Sequence, residues 1–558
     1  MQSFTHRSGT MTAQPSPQPH AGGGARAWWQ DAVIYHVYLP SFRDADGDGV
    51  GDLAGVIEGL PYLHDVLGVD ALWISPFFVS PWVDGGYDIA DHTAIEPRFG
   101  DLATFDRLVG ELHRRGMRLV IDYVPNHTSD QHPWFVESRS SRESPKRDWY
   151  IWADPRPDGG PPNNWVSEAG GSVWEWDERT GQFYLHSHLV EQPDLNWRNP
   201  AVRAAMMDVM RFWLDRGVDG FRIDVVHMLM KDPELRDNPP SPDTTPNPYD
   251  RQHPDFTTQL HIHDRRHPDL HTVLRELRAL LDSYGDRVAI GELEVMPWKD
   301  WAAFYGRSLD ELHLPMNFSL IETPWSAGEI ATALSSLEEA LPPGAWPVNN
   351  LGNHDRSRLA TRYGEAGART AAMLLLSARG TPILYYGDEI GMTDVDVPRE
   401  LMRDGFARHE GGPSRDPNRT PLPWSPAPGA GFSSSPHART WLPLAPDWPS
   451  RNIERQRHDP ASMLSLYRRL LSLRRASPAL RAGAMRLHPV QETGCVVYER
   501  TLDDERMLVA LNPGQAHRTV PVGRVELMVS TRAERALTEQ ASAIELCPGE
   551  GVIGRVLA

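Results

Sequence analysis

A chain of 558 residues exceeds one ordinary domain; its length suits about three or four units, or one enlarged barrel. Its 56 basic and 75 acidic residues leave a net charge of −19, which repels phosphate backbones and argues against a nucleic-acid partner. Mean hydropathy is −0.47 and no apolar run approaches the roughly 20 residues of a membrane span, while two cysteines, Cys495 and Cys547, exclude a disulfide scaffold and read as ordinary buried thiols.

Residues 1–27 are polar, Pro- and Gly-rich and lack an apolar signal core, so they are expected to be a disordered tail on a cytoplasmic protein. From Trp28 onward short apolar runs alternate with amphipathic stretches. Strands are predicted at 32–42, 71–77 and 118–124, with helices over 53–68 and 101–116, the second capped by Asp101. The stretch from 125 to 197 is too long and too rich in tryptophan for a loop, and reads as an inserted domain. Asn199 and Pro200 then start a helix whose apolar face is Val202, Met206, Val209, Met210 and Trp213. Strands follow at 220–226, 288–294, 311–318, 346–355 and 381–389. Helices fall at 269–284, 368–380 and 461–480, and a Pro- and His-rich excursion occupies 232–270.

Eight strand-like runs with intervening helices predict an α/β fold, a (β/α)8 TIM barrel, since continuous apolar runs suit buried parallel strands. No Gly-rich turn follows the first strand, which disfavours a dinucleotide-binding sheet. The expected plan is a catalytic barrel over 28–125 and 197–480, a small domain over 126–196, and a C-terminal antiparallel β-sandwich over 481–558.

Asp122, Asp224, Glu292 and Asp355 fall at or just beyond predicted strand ends, where a barrel gathers them into one cleft. Two carboxylates flanking one bond are the apparatus of glycoside hydrolysis. Arg222 shares a strand face with Asp224 and is expected to lower its pKa, as suits a nucleophile. Glu292 has no basic neighbour in its own strand, which suits a raised pKa and an acid/base role.

The segments DYVPNH (122–127), QPDLNW (192–197), GFRIDVV (220–226), GELE (291–294), NHD (353–355) and RTPLPW (419–424) occur in an order that resembles the α-amylase superfamily of glycoside hydrolases, in its α-glucosidase and oligo-1,6-glucosidase branch. The resemblance implies a retaining double displacement, with Asp224 as nucleophile, Glu292 as general acid/base and Asp355 as transition-state stabiliser. It also implies that Asp88, His127, Arg222, His354 and Arg419 grip the terminal glucose and that Tyr87 is its stacking platform.

DADGDGVGD (44–52) sets Asp44, Asp46, Asp48 and Asp52 around Gly49 like the first half of an EF-hand loop, but Gly55 stands where the bidentate acid belongs. The resemblance implies a structural calcium, or magnesium, with Val50 giving its backbone carbonyl, and no organic cofactor. His261, His263, Asp264 and His267 could suggest a second metal cluster; a solvated loop is the simpler reading.

The expected substrates are short α-glucosides cut from the non-reducing end, with some transglycosylation, by a monomer or homodimer. Oligo-1,6-glucosidase is the near alternative, because Val225 is similar to the residue in α-1,6-selective members. Glu168–Ala169 stand where an aromatic pair is common, which leaves the leaving-group preference open. A trehalose synthase or sucrose isomerase is a second class, and a non-catalytic transporter-partner subunit a third; the three acids and the lack of a span speak against the latter.

Overall fold

The computed structural model describes residues 26–242, 253–294, 297–408, 414–540 and 542–557. Nearly all of the expected tail, and 243–252 of the excursion, lie outside these residues. Eight strands form one parallel sheet: β1 (Ile34–Val37), β2 (Ala71–Ile74), β3 (Arg118–Tyr123), β4 (Gly220–Ile223), β5 (Val288–Leu293), β6 (Leu314–Asn317), β7 (Val348–Asn350) and β8 (Thr381–Tyr385). Their order is β6-β5-β4-β3-β2-β1-β8-β7, and β6 and β7 at the two ends lie against each other, so the sheet closes into the barrel expected.

Strand parity sorts the side chains. Ile34, Ala71, Val120, Ile290, Leu314 and Ile383 point inward and pack together. Tyr35, Leu72, Leu119 and Ile121 point outward into the layer of helices. Both faces are therefore apolar, which is why the runs read as continuous. One inward step further along the strands, parity puts His36, Asp122, Arg222 and Glu292 on the same interior, and Asp122 pairs in register with Arg222.

The helices start where local chemistry dictates. Asp101 accepts from Thr104 N at the head of Leu102–Arg114, and Asn199 accepts from Ala201 N at the head of Pro200–Asp215. Asp52 caps Leu53–Pro61, which continues as a wider turn to Leu67 and stops at Gly68, with φ 89°. Several strands are shorter than predicted: β1 ends at Val37 because Pro40 turns the chain into a short 3-10 helix.

Between β3 and β4 the chain builds a three-stranded antiparallel sheet, 152–153, 174–177 and 182–185, around Trp165, Val173, Trp174 and Leu185. The excursion after β4 locks onto this insert: Trp165 Nε1 donates to Arg236 O (2.8 Å) and Asn164 Nδ2 to Asn238 O (2.8 Å). Beyond the last barrel helices, a six-stranded and a two-stranded antiparallel sheet enclose Val497, Leu508, Val520, Ile544 and Leu546. Alternate residues Val496, Tyr498, Val509 and Leu511 join the main core instead. Cys495 is buried in the sandwich and Cys547 half-buried, both as free thiols.

Candidate active site

Arg222, on β4, is the centre of the barrel mouth. It is 1% exposed and its Nη1 donates to Asp122 Oδ1 (2.8 Å) and Asp224 Oδ1 (2.7 Å), while Nη2 meets Glu292 Oε1. Three carboxylates from three strand ends thus share one cation. Trp73 Nε1 (2.8 Å) and Tyr87 Oη (3.2 Å) donate to the remaining oxygen of Asp122. The backbone N–H of Val225 donates to Glu292 Oε2 (3.1 Å), and Val225 itself is left-handed, with φ 34° and ψ 45°. That is a strained geometry for a β-branched residue.

One electrostatic expectation, the lowered Asp224, is corrected by the structure. Arg222 does not serve Asp224 alone: its guanidinium also reaches Glu292, which has no basic neighbour in its own strand β5. Asp224 is consequently not depressed. Burial pushes its carboxyl well above the usual range, Arg222 opposes this, and the charges of Glu292 and Asp122 push it further up. Asp122 is raised to about 6, again by burial first.

Asp355 behaves oppositely. Arg415 Nη1 (3.1 Å) and Arg419 Nη2 (3.0 Å) both donate to its Oδ1, and His354 Nε2 lies 3.3 Å from Oδ2. Burial would raise it, but His354, Arg415 and Arg419 together hold it far below the usual carboxylate range. Burial drives His354 well below a normal imidazole; its ring stacks on Tyr87, with centroids 5.2 Å apart and planes 4° apart.

The remaining candidates join the same network. Asp88 accepts from Val83 N (2.8 Å) and Asp84 N (3.0 Å), and burial raises it to about 6. The loop between them needs glycine: Gly85 has φ 58°, and a Cβ there would come within 2.9 Å of Tyr38 Oη. His127 Nε2 is 3.1 Å from Gln192 Nε2, whose amide also donates to Asp84 Oδ2 (3.0 Å); burial lowers His127 to about 3.

Sequence reasoning passed over Arg415 and two of its partners, Asp84 and Asp404. Arg415 binds Asp84, Asp355 and Asp404, and so ties the loop after β2, the loop after β7 and the segment before Arg419 into one ion-pair lattice. The available signal was its place four residues before Arg419, just ahead of the stretch already singled out.

The acidic loop is a separate group. Asp44, Asp46 and Asp48 bring carboxylate oxygens within 4.8 Å of one another. Asp44 is fixed by Gly47 N (2.7 Å) and Gly49 N (2.8 Å), and Asp52 by Gly55 N (2.6 Å) and Ala45 N (2.9 Å). Gly49, φ 98°, packs so tightly that a Cβ would lie 2.1 Å from Arg439 O. Hard oxygen donors on a preformed turn suit calcium or magnesium. The histidines of the excursion find separate partners: His261 pairs with Asp264, His263 with Asp232, and His267 with Asp269 and Arg198.

The family model of the alpha-amylase catalytic domain matches residues 36–483. A probable alpha-glucosidase of Rhizobium meliloti (strain 1021) is 41% identical over 525 residues, covering 90% of this chain and 92% of its own. An oligo-1,6-glucosidase of Parageobacillus thermoglucosidasius is 36% identical, covering 87% and 90%. The crystal structure of an alpha-glucosyl transfer enzyme superposes with a TM-score of 0.89 at 39% identity, covering 95% of this chain and all of that one. With barrel, strand-end carboxylates and these likenesses in agreement, the chain belongs to the alpha-amylase family.

Proposed function

We propose that this protein is a retaining, exo-acting α-glucosidase that releases glucose from short α-glucosides. The observation that carries the reading is the single buried guanidinium of Arg222 shared by Asp224 and Glu292. One cation spanning both carboxyls favours the short spacing, about 5–5.5 Å, of a double displacement over the wider spacing that admits a water. An Asp224 oxygen attacks the anomeric carbon while the glycosidic C–O bond breaks and Glu292 gives its proton to the departing oxygen. Water then loses a proton to Glu292 and attacks the same carbon, releasing glucose and Asp224. Asp355, kept ionised by Arg415 and Arg419, holds ring hydroxyls.

The relatives named alpha-glucosidase and oligo-1,6-glucosidase support this substrate class, and the alpha-glucosyl transfer enzyme supports some transfer to sugar acceptors. A preference for α-1,6 links is the second reading, because Val225 directly follows Asp224 and its own N–H donates to Glu292. Rates of the purified chain on maltose, isomaltose, sucrose and p-nitrophenyl α-glucoside test both readings. Glucose release from maltose or isomaltose is expected, and Val225→Ala moves the ratio toward maltose. If all these substrates stay intact, the α-glucosidase reading fails.

We also propose a structural calcium or magnesium held by Asp44, Asp46, Asp48 and Asp52 with the Val50 carbonyl. Its charge would offset the mutual repulsion of the clustered carboxylates. Asp48 already feels the crowding: burial first, then Asp46 and Asp44, push its carboxyl up.

A further inference from the structure

The wall beside Glu292 is built of charges that the double displacement does not use. Arg265, in the excursion after β4, is 2% exposed and donates Nη1 to Glu294 Oε2 (2.9 Å) and Glu168 Oε1 (3.3 Å). Asp264, the other nearby acid at 3.7 Å, is engaged by His261 at 2.5 Å. Glu294 follows Glu292 by two residues, and parity turns both toward the cleft. Glu168 belongs to the inserted domain. One buried cation therefore joins β5, the excursion and the insert beside the proposed proton donor.

Two neutral imidazoles extend the row. His227 Nε2 lies 3.7 Å from Glu294, and His188 Nε2 lies 3.6 Å from Glu168. Burial lowers His227 to about 4 and His188 to about 3. The His188 ring centroid is 5.0 Å from that of His127, so the row ends at the proposed glucose grip.

Exposure differs along this wall in an informative way. The side chain of Arg265 is 2% exposed, against 15% for Glu168 and 24% for Glu294. The carboxylates reach the open and the guanidinium backs them. Although burial raises Glu294, Arg265 holds it below its ordinary range, so it presents only acceptors. Ala169, next to Glu168, packs against Leu189 and Phe406 and offers no ring to the cleft. Such a wall pairs with hydroxyl donors and gives a flat apolar ring nothing to stack on.

We propose that Glu168 and Glu294, fixed by Arg265, recognise the leaving group and select hydroxyl-rich partners, sugars and polyols, over aryl groups. This rests on the α-glucosidase reading, in which the donor Glu292 stands on the leaving-group side. Arg265 touches no substrate and is a positioning residue.

The test compares kcat/KM of the full chain for the faster of maltose and isomaltose, for p-nitrophenyl α-glucoside, and for α-glucosyl fluoride, whose leaving group is one atom. In Glu168→Gln and in Glu294→Gln the disaccharide-to-aryl ratio is expected to fall about tenfold. Arg265→Gln lowers the same ratio mainly through KM on the disaccharide, and Arg265→Lys recovers part of it. A ratio within about twofold of wild type in both carboxamide variants overturns the proposal. If the wild-type chain cannot hydrolyse α-glucosyl fluoride, the α-glucosidase reading itself fails and takes this one with it.

Discussion

Asp122, Asp224 and Glu292 crowd one guanidinium inside the barrel mouth, whereas Asp44, buried, and Asp46 and Asp48, exposed, crowd one turn. Both regions concentrate like charge, but they hold it differently. In the mouth the restraint is a buried cation, and the surrounding aromatic and apolar side chains keep water from screening the carboxylates. In the loop, backbone N–H groups orient Asp44, and Asp46 and Asp48 face solvent. Buried crowding stores chemical potential for proton transfer and attack; exposed crowding suits a hard cation.

The sharpest way to break this comparison is Asp224→Ala. Turnover is expected to drop by about 10⁴-fold or more. The melting temperature should hold or rise, because one of three carboxylates competing for Arg222 is gone. Activity near wild type would remove the nucleophile from the scheme. Asp48→Ala should do the reverse. It lowers melting by about 2–5 °C in calcium, abolishes the shift produced by a chelator, and leaves the rate at 25 °C nearly intact. Identical melting curves with and without chelator in the wild type would count against the metal.

The smallest effect concerns pH. Burial raises Asp88 to about 6, so the folded chain binds its proton more tightly than the unfolded chain. That contribution is fully present below the unfolded value, about 4, and is lost as pH rises through 6. Asp88→Asn should therefore gain on wild type by about 2–3 kcal/mol between pH 4 and 7, roughly 2–3 °C in melting temperature. A pH-independent difference would show that Asp88 is already charged at no cost. Asp355 has the opposite sign: its stabilisation is present above the ordinary carboxylate range and is lost only in strong acid.

Much of the architecture was legible because it depends on local periodicity. Strand parity made β1 to β5 apolar on both faces, and polar residues at the ends of those runs marked the barrel mouth. Asp101 and Asn199 announced helix starts through their own side chains. The electrostatics were not legible. Arg222 sits two residues from Asp224 in sequence, so it was assigned to Asp224; Glu292 is 70 residues away and shares it because β4 and β5 are neighbours in the sheet. Arg415 and Arg265 were missed for the same reason: each is defined by partners from separate loops.

The sequence by itself therefore determined the class of fold, the set of strand-end acids and the acidic turn, since these follow from side-chain spacing along a few residues. Only the tertiary structure decided which carboxylate each arginine serves and which acids end up raised or depressed. Those outcomes depend on burial and on distances between remote segments, and at low dielectric a difference of a few ångströms decides whether a charge is paired or stranded.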